Sequence, residues 1–365
     1  MSLAVLTGCS SESNRFGIVF VSDNGVVDAT DVYRMPDNTQ NKIEQLTFTP
    51  TIGEYQLLVS KNADEIIFEA GPTRSEAEPY ESAIEQIRHI YLLDTFDKKL
   101  EDITDIFTLP PTITPMRVAD WSPDRKQFAF ITYETGLGVM NFDGTNKKDI
   151  SIPSFGEIPD LKVIKWSPDG KKLALIHGYA PTTLQHIGWA LLIYDLGSGE
   201  IRQLADYEAN CTHVEWSPAS QQVVATCSYI LPYTEIPEPD TVRIFSTGYS
   251  DQPYERLALS PCRHPSWSPD GKQIVFACEK GTNQMGLFII NSDGNGIHEL
   301  NLENLGSPSV VRYPTWSPDG TQIIYVAGTD SGHTKIYSVN LDGTNIHTLT
   351  SQEAFYTIIA VYPVP

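Results

Sequence analysis

Nowhere in these 365 residues does an unbroken apolar run approach the ~18 residues that a membrane-spanning helix needs. Cations are scarce as well: 25 Lys and Arg stand against 46 Asp and Glu, for a formal net charge of −21. Such a surface repels phosphate backbones and anionic lipid, which excludes nucleic acid as a partner, and high solubility is its plainest consequence. Cysteine is rare, with five in all, and no Cys-x-x-Cys occurs. There is no Gly-x-Ser-x-Gly elbow and no His-Glu-x-x-His, and the eight His residues are scattered. No catalytic set, metal or cofactor is therefore expected. Glycine and proline, 25 of each, are too few for a disordered chain and enough for many tight turns.

What is present is a repeat. Trp121, Trp166, Trp216, Trp267 and Trp316 recur at intervals of 45, 50, 51 and 49 residues. Four of them open Trp-Ser-Pro-Asp, and the runs from Trp166, Trp267 and Trp316 continue to Gly; the run from Trp216 reads Trp-Ser-Pro-Ala-Ser. A short apolar strand follows each run, such as Ile274-Val275-Phe276. Then come a loop, a second strand such as Leu287-Phe288-Ile289-Ile290, an Asp-Gly turn (Asp143-Gly144, Asp293-Gly294, Asp342-Gly343) and a last strand. Pro presets φ at the first turn position, Asp caps the turn and Gly accepts the positive φ that follows. Asp-Gly between apolar runs is a strong hairpin signal. Four strands per 45–50 residues make the blade of a β-propeller, with the Trp packed between neighbouring blades.

The degenerate copies set the blade number. Val59 to Phe68 aligns without a gap to Trp267 to Phe276, a blade whose Trp has become Val, and an insertion at about 69–88 explains the long step to Trp121. Gly17–Val21, Asp31–Tyr33 and Ile43–Thr47 match the last three strands of a repeat. The missing inner strand is supplied by Tyr356–Val361, so both termini close one blade and no edge is left open. The expected fold is all-β: a single seven-bladed propeller of four-stranded antiparallel blades over residues 16–365. Six blades is the alternative if one terminal set is decoration.

These motifs resemble the TolB-type, WD-like propeller repeat along essentially the whole chain beyond residue 15. The repeat is specific for fold and poor for function. The resemblance implies any of several roles, because the same repeat serves transport accessory proteins, the propellers of serine peptidases and some polysaccharide lyases. The chain departs from TolB itself, which has six blades and an added amino-terminal domain. At the start, Leu6-Thr7-Gly8-Cys9 resembles the lipobox of bacterial lipoproteins, with Ser10 to Asn14 as a polar tether. That resemblance implies a lipid on Cys9 and a place in the cell envelope, on the periplasmic or other extracytoplasmic side. Residues 1–15 then read as a truncated signal segment and tether, since a basic n-region and a full apolar core are lacking.

Ligands usually meet a propeller on the face where inner strands begin. Four positions before each Trp stand Arg117, Lys162, Thr212, Arg263 and Arg312; three before stand Val118, Val163, His213, His264 and Tyr313. Cations in four of five repeats suggest an anion-accepting funnel, for a peptide carboxylate or an acidic sugar; pairing with acids of adjacent loops is the plainer explanation. Residues 69–88 and 227–241 form loops on that face that suit a partner-binding lip or a packed cover. His177, His186 and Trp189 read either as a sugar-stacking surface or, in preference, as core. Cys211 and Cys262 lie five before a Trp, and Cys227 and Cys278 eleven after, which places each pair opposite one another in its first hairpin. Disulfides Cys211–Cys227 and Cys262–Cys278 are expected of an exported chain, with four free buried thiols as the alternative.

The leading expectation is a monomeric, non-catalytic, lipid-anchored envelope propeller whose loop-rich face binds a protein or peptide partner, and which meets the membrane only through its anchor. The competing expectation is a metal-dependent lyase acting on acidic polysaccharide fragments, resembling the seven-bladed oligogalacturonate lyases.

Overall fold

A computed structural model describes residues 15–22, 31–38, 42–47, 52–60, 63–72, 89–107, 117–132, 136–152, 160–179, 188–206, 209–228, 239–248, 254–256, 261–281, 284–302, 308–330 and 333–364. Its strands form seven four-stranded antiparallel sheets. Blades 2 to 7 are each a run of four consecutive strands, and their first strands are Ile52–Val59, Arg117–Trp121, Asp160–Trp166, Cys211–Trp216, Cys262–Trp267 and Val310–Trp316. In blade 1 the innermost strand is the last of the chain: Tyr356–Pro363 pairs with Phe16–Ser22, from Phe16 opposite Pro363 to Ser22 opposite Tyr356. Each first strand contacts the first strands of the two adjacent blades, around the full circle. They therefore line a central channel.

Local chemistry explains why each blade begins as it does. In the turn after Trp267, the Ser268 hydroxyl donates to Asp270 Oδ1 at 2.7 Å and accepts the Gln273 N–H at 2.9 Å, while the Ser268 carbonyl accepts the Gly271 N–H at 2.9 Å. Gly271 has φ +71°, and the equivalent Ala63, Arg125 and Ser220 adopt φ of 53°, 60° and 60°. That Ala63 shares this left-handed position confirms the blade whose Trp has become Val. A Cβ on Gly271 would meet Pro218 Cδ of the preceding blade's turn at 3.5 Å, so the turns also stack around the ring.

The core is divided among the seams. Seven apolar clusters are buried, and each joins two successive blades, including the seam of blade 7 with blade 1. Trp216 packs with Ala174, Ile176 and Leu191 of blade 4, and Trp267 with Val224, Val242 and Ile244 of blade 5. A lone four-stranded sheet cannot cover both of its faces; stacking in a ring covers all of them. The long step to Trp121 has a different boundary from the one the sequence suggests. The second strand of blade 2 continues to Pro72, because 69–72 extend the pairing with Ile52–Tyr55; residues 73–88 lie outside the described residues.

Candidate functional site

In every blade a register shift interrupts the pairing of the first strand with the second, close to where that strand enters the channel. A bulge of this kind re-aims side chains that would otherwise alternate between blade faces. Blades 6 and 7 carry the same pattern there, Arg263-His264-Pro265-Ser266-Trp267 and Arg312-Tyr313-Pro314-Thr315-Trp316. His264 and Tyr313 have φ of 55° and 50°. A residue before proline is normally held extended, and left-handed backbone at such a position costs about 1–3 kcal/mol. No other first strand places a non-glycine residue there with positive φ among the described residues.

Three rings follow one another along this part of the wall. His213 and His264 have centroids 6.4 Å apart, and His264 and Tyr313 are 4.6 Å apart. Burial drives the His213 pKa down to about 4, helped by the positive charge of Lys165 and opposed by a hydrogen bond to the Pro265 carbonyl. Burial likewise takes His264 to about 3, helped by His213, Arg263 and Arg312. Both rings are neutral near pH 7. The guanidinium groups of Arg263 and Arg312 flank the His264 imidazole closely enough to disfavour its charge.

The four expected cations end in different situations. Arg263 Nη2 lies 3.6 Å from Asp240 Oδ2 and 3.8 Å from Glu279 Oε1. Among the described residues the Arg312 side chain has no ion-pair or hydrogen-bond partner. Lys162 turns aside, its Nζ 5.1 Å from the centre of the Trp189 ring, which is itself half-buried against the seam of blades 4 and 5. The Arg117 side chain lies outside the described residues, as do Cys9, His186 and most of the 227–241 loop. Thr212 is exposed and Val163 half-buried, while His177 is buried in blade 4 at 1% exposure. The structure joins Cys211 to Cys227 and Cys262 to Cys278, each pair in direct cross-strand register, immediately beside the bulges that carry His213 and Arg263.

Deeper in the channel lies a set missing from the sequence reading. Asp120, Lys165 and Glu215 occupy the position just before the Trp in blades 3, 4 and 5. Asp120 Oδ2 accepts the Trp166 N–H at 2.6 Å, and Glu215 Oε1 accepts the Trp267 N–H at 3.2 Å. Each carboxylate thus caps the backbone of the next blade. Burial raises both pKa values, Glu215 to about 7, against the pull of these hydrogen bonds and of Lys165. Comparing that one column of the repeat would have revealed the set.

The arrangement does not suit a divalent metal. Among the described residues no group of three or more His, Cys, Asp or Glu is placed to hold one. The two facing histidines have Lys165, Arg263 and Arg312 as neighbours, and these cations oppose a dication.

No family model matches the chain, and no curated protein matches it in sequence. Solved structures with the same fold are numerous. TolB from Acinetobacter baumannii is similar at TM-score 0.51 and 20% identity, over 83% of this chain and 66% of that one. This chain thus spans just under two thirds of that TolB's length. An oligogalacturonate lyase in complex with manganese gives TM-score 0.60 at 14% identity, over 92% and 85% of the two chains. A prolyl endopeptidase gives 0.61 at 11%, over 94% and 48%. At such identities the likeness establishes the TolB-like propeller fold and nothing finer.

Proposed function

We propose that the chain is a non-catalytic binding propeller of the cell envelope that engages a protein or peptide partner at the channel mouth of blades 5 to 7. The observation that carries this reading is Arg312: a guanidinium without a partner among the described residues, beside the His264–Tyr313 ledge, in a strongly acidic protein. The strained backbone of that ledge supports it, since such strain is commonly kept where a surface has work to do. Attachment through a lipid on Cys9 is part of the proposal and rests on the lipobox resemblance. Two disulfides suit an oxidising compartment. The same fold in an oligogalacturonate lyase keeps a second reading in view, a lyase on acidic sugar fragments; the cations around His213 and His264 weigh against the metal it would use.

A photo-crosslinking residue at Tyr313 tests the proposal, with Phe96 as control. Phe96 is exposed in a third-to-fourth-strand turn, on the opposite face. A discrete peptide or protein adduct from position 313, lost in Arg312→Ala and not seen from position 96, is expected. Equal labelling from both positions contradicts the proposal. Release of unsaturated product from oligogalacturonate with added manganese favours the lyase.

A further inference from the structure

The charges of the mouth do not sum to a simple anion site. Arg263 faces two carboxylates, Asp240 and Glu279, so one negative charge is in surplus on the side of blades 5 and 6. Both separations, 3.6 and 3.8 Å, exceed hydrogen-bonding distance, so neither acid spends its lone pairs on Arg263. All three side chains are between 33% and 47% exposed. Backbone bonds hold the acids in place: the Asp240 carbonyl accepts the Cys262 N–H at 2.8 Å, and the Glu279 N–H donates to the Pro261 carbonyl at 3.0 Å. The Cys262–Cys278 bond ties the segment that both acids bond to, Pro261–Cys262, to the strand that carries Glu279.

One blade further on, Arg312 stands alone among the described residues. Three other cations of this face are occupied, Lys280 by Glu299, Lys335 by Glu353 and Lys162 by the Trp189 ring. Between surplus acid and free cation lies the ledge of His264 and Tyr313. The mouth is therefore dipolar along the rim. A purely acidic segment that reached Arg312 would meet repulsion from Asp240 and Glu279, whereas a group carrying both charges would be matched at both ends.

We infer that the mouth recognises a zwitterion, specifically a short peptide with both termini free. Its carboxylate is held by Arg312, its ammonium by Asp240 and Glu279, and its central side chain lies on the His264–Tyr313 ledge. This rests on the reading of the mouth as the binding face. The first strands of blades 6 and 7 approach within 8 Å at Cα, a distance that two or three residues at up to about 3.5 Å each can span.

The test is calorimetric titration of the full chain with Ala-Phe-Ala in four forms: free, N-acetylated, C-amidated and doubly capped. The free form is expected to bind, with each cap lowering affinity by about tenfold or more, the worth of one charge-assisted hydrogen bond. In Asp240→Asn/Glu279→Gln the penalty for acetylation disappears while that for amidation remains; Arg312→Ala gives the reverse. Near-ultraviolet circular dichroism checks that each variant is folded. Equal binding of all four forms, no binding of the free form at millimolar concentration, or tighter binding of an acetylated acidic peptide overturns the inference. The wider reading of the mouth falls separately, if the position-313 crosslink fails.

Discussion

The backbone N–H of Trp267 donates to Glu215 Oε1 at 3.2 Å, across the seam between blades 5 and 6. The same carboxylate lies 3.4 Å from the Ser266 hydroxyl. Glu215 thus links two blades from inside the channel, where burial holds its pKa near 7, well above the ordinary glutamate range.

A group whose pKa is raised by folding binds its proton more tightly in the folded state. Acidification from above 7 toward the ordinary range therefore stabilises the fold through Glu215, and at higher pH its buried charge is a cost. Glu215→Gln keeps an acceptor for the Trp267 N–H and removes the charge. Its melting temperature relative to the parent should be higher at about pH 8.5 than at about pH 5.5. A difference that does not change with pH contradicts this assignment.

His213 and His264 act in the opposite sense. Their folded values, about 4 and about 3, lie below the ordinary histidine range, so the stability they contribute is present above about 6.5 and is lost as pH falls from there. Side-chain NMR should find both rings neutral at about pH 5. His333 should still be largely charged there, because Asp330, with a hydrogen bond and a negative charge, raises its pKa. Titration of His213 near the ordinary value would show that the ring is not sealed in the wall.

The tryptophans occupy equivalent places but are not bonded equivalently. Trp216 Nε1 donates to the Lys165 carbonyl at 2.9 Å, while Trp267 Nε1 is buried without a partner among the described residues. Trp216→Phe should therefore cost about 1–2 kcal/mol more than Trp267→Phe in urea unfolding, the worth of one hydrogen bond with its stranded carbonyl. Equal losses would reduce both residues to packing alone.

Five cysteines and two cross-strand bonds make a prediction for alkylation under denaturing conditions. Without reductant none of Cys211, Cys227, Cys262 and Cys278 should be labelled; after reduction all four should be. Replacing Cys262 and Cys278 together by Ser should cost about 2–5 kcal/mol. Labelling of these four in the unreduced protein would mean that the bridges do not form.

The repeat made the architecture legible because its turn chemistry is local. Ser, Pro and Asp act within a few residues of one another, so even the copy at Val59 to Ala63 could be found. The first blade's borrowed strand was legible for a different reason, since three strands at one end and an orphan at the other have one economical pairing. The site was legible only in part. Arg263, His264, Arg312 and Tyr313 lie together, as their repeat positions suggest, but that Lys162 turns to Trp189 depends on another strand of its blade. The left-handed backbone at His264 and Tyr313 contradicts what a following proline implies. Asp240 and Glu279 come from segments that no repeat column aligns with Arg263, so the charge balance of the mouth could not be read from the sequence.

Everything described for the mouth depends on first strands that form a closed circle, with Tyr356–Pro363 paired beside Phe16–Ser22. Native-state hydrogen exchange, resolved by peptide fragment, tests that pairing directly. Amides of 356–363 should exchange as slowly as those of the other first strands and only through global opening. Exchange of that segment within seconds, while the other blades stay protected, would mean that the circle is open.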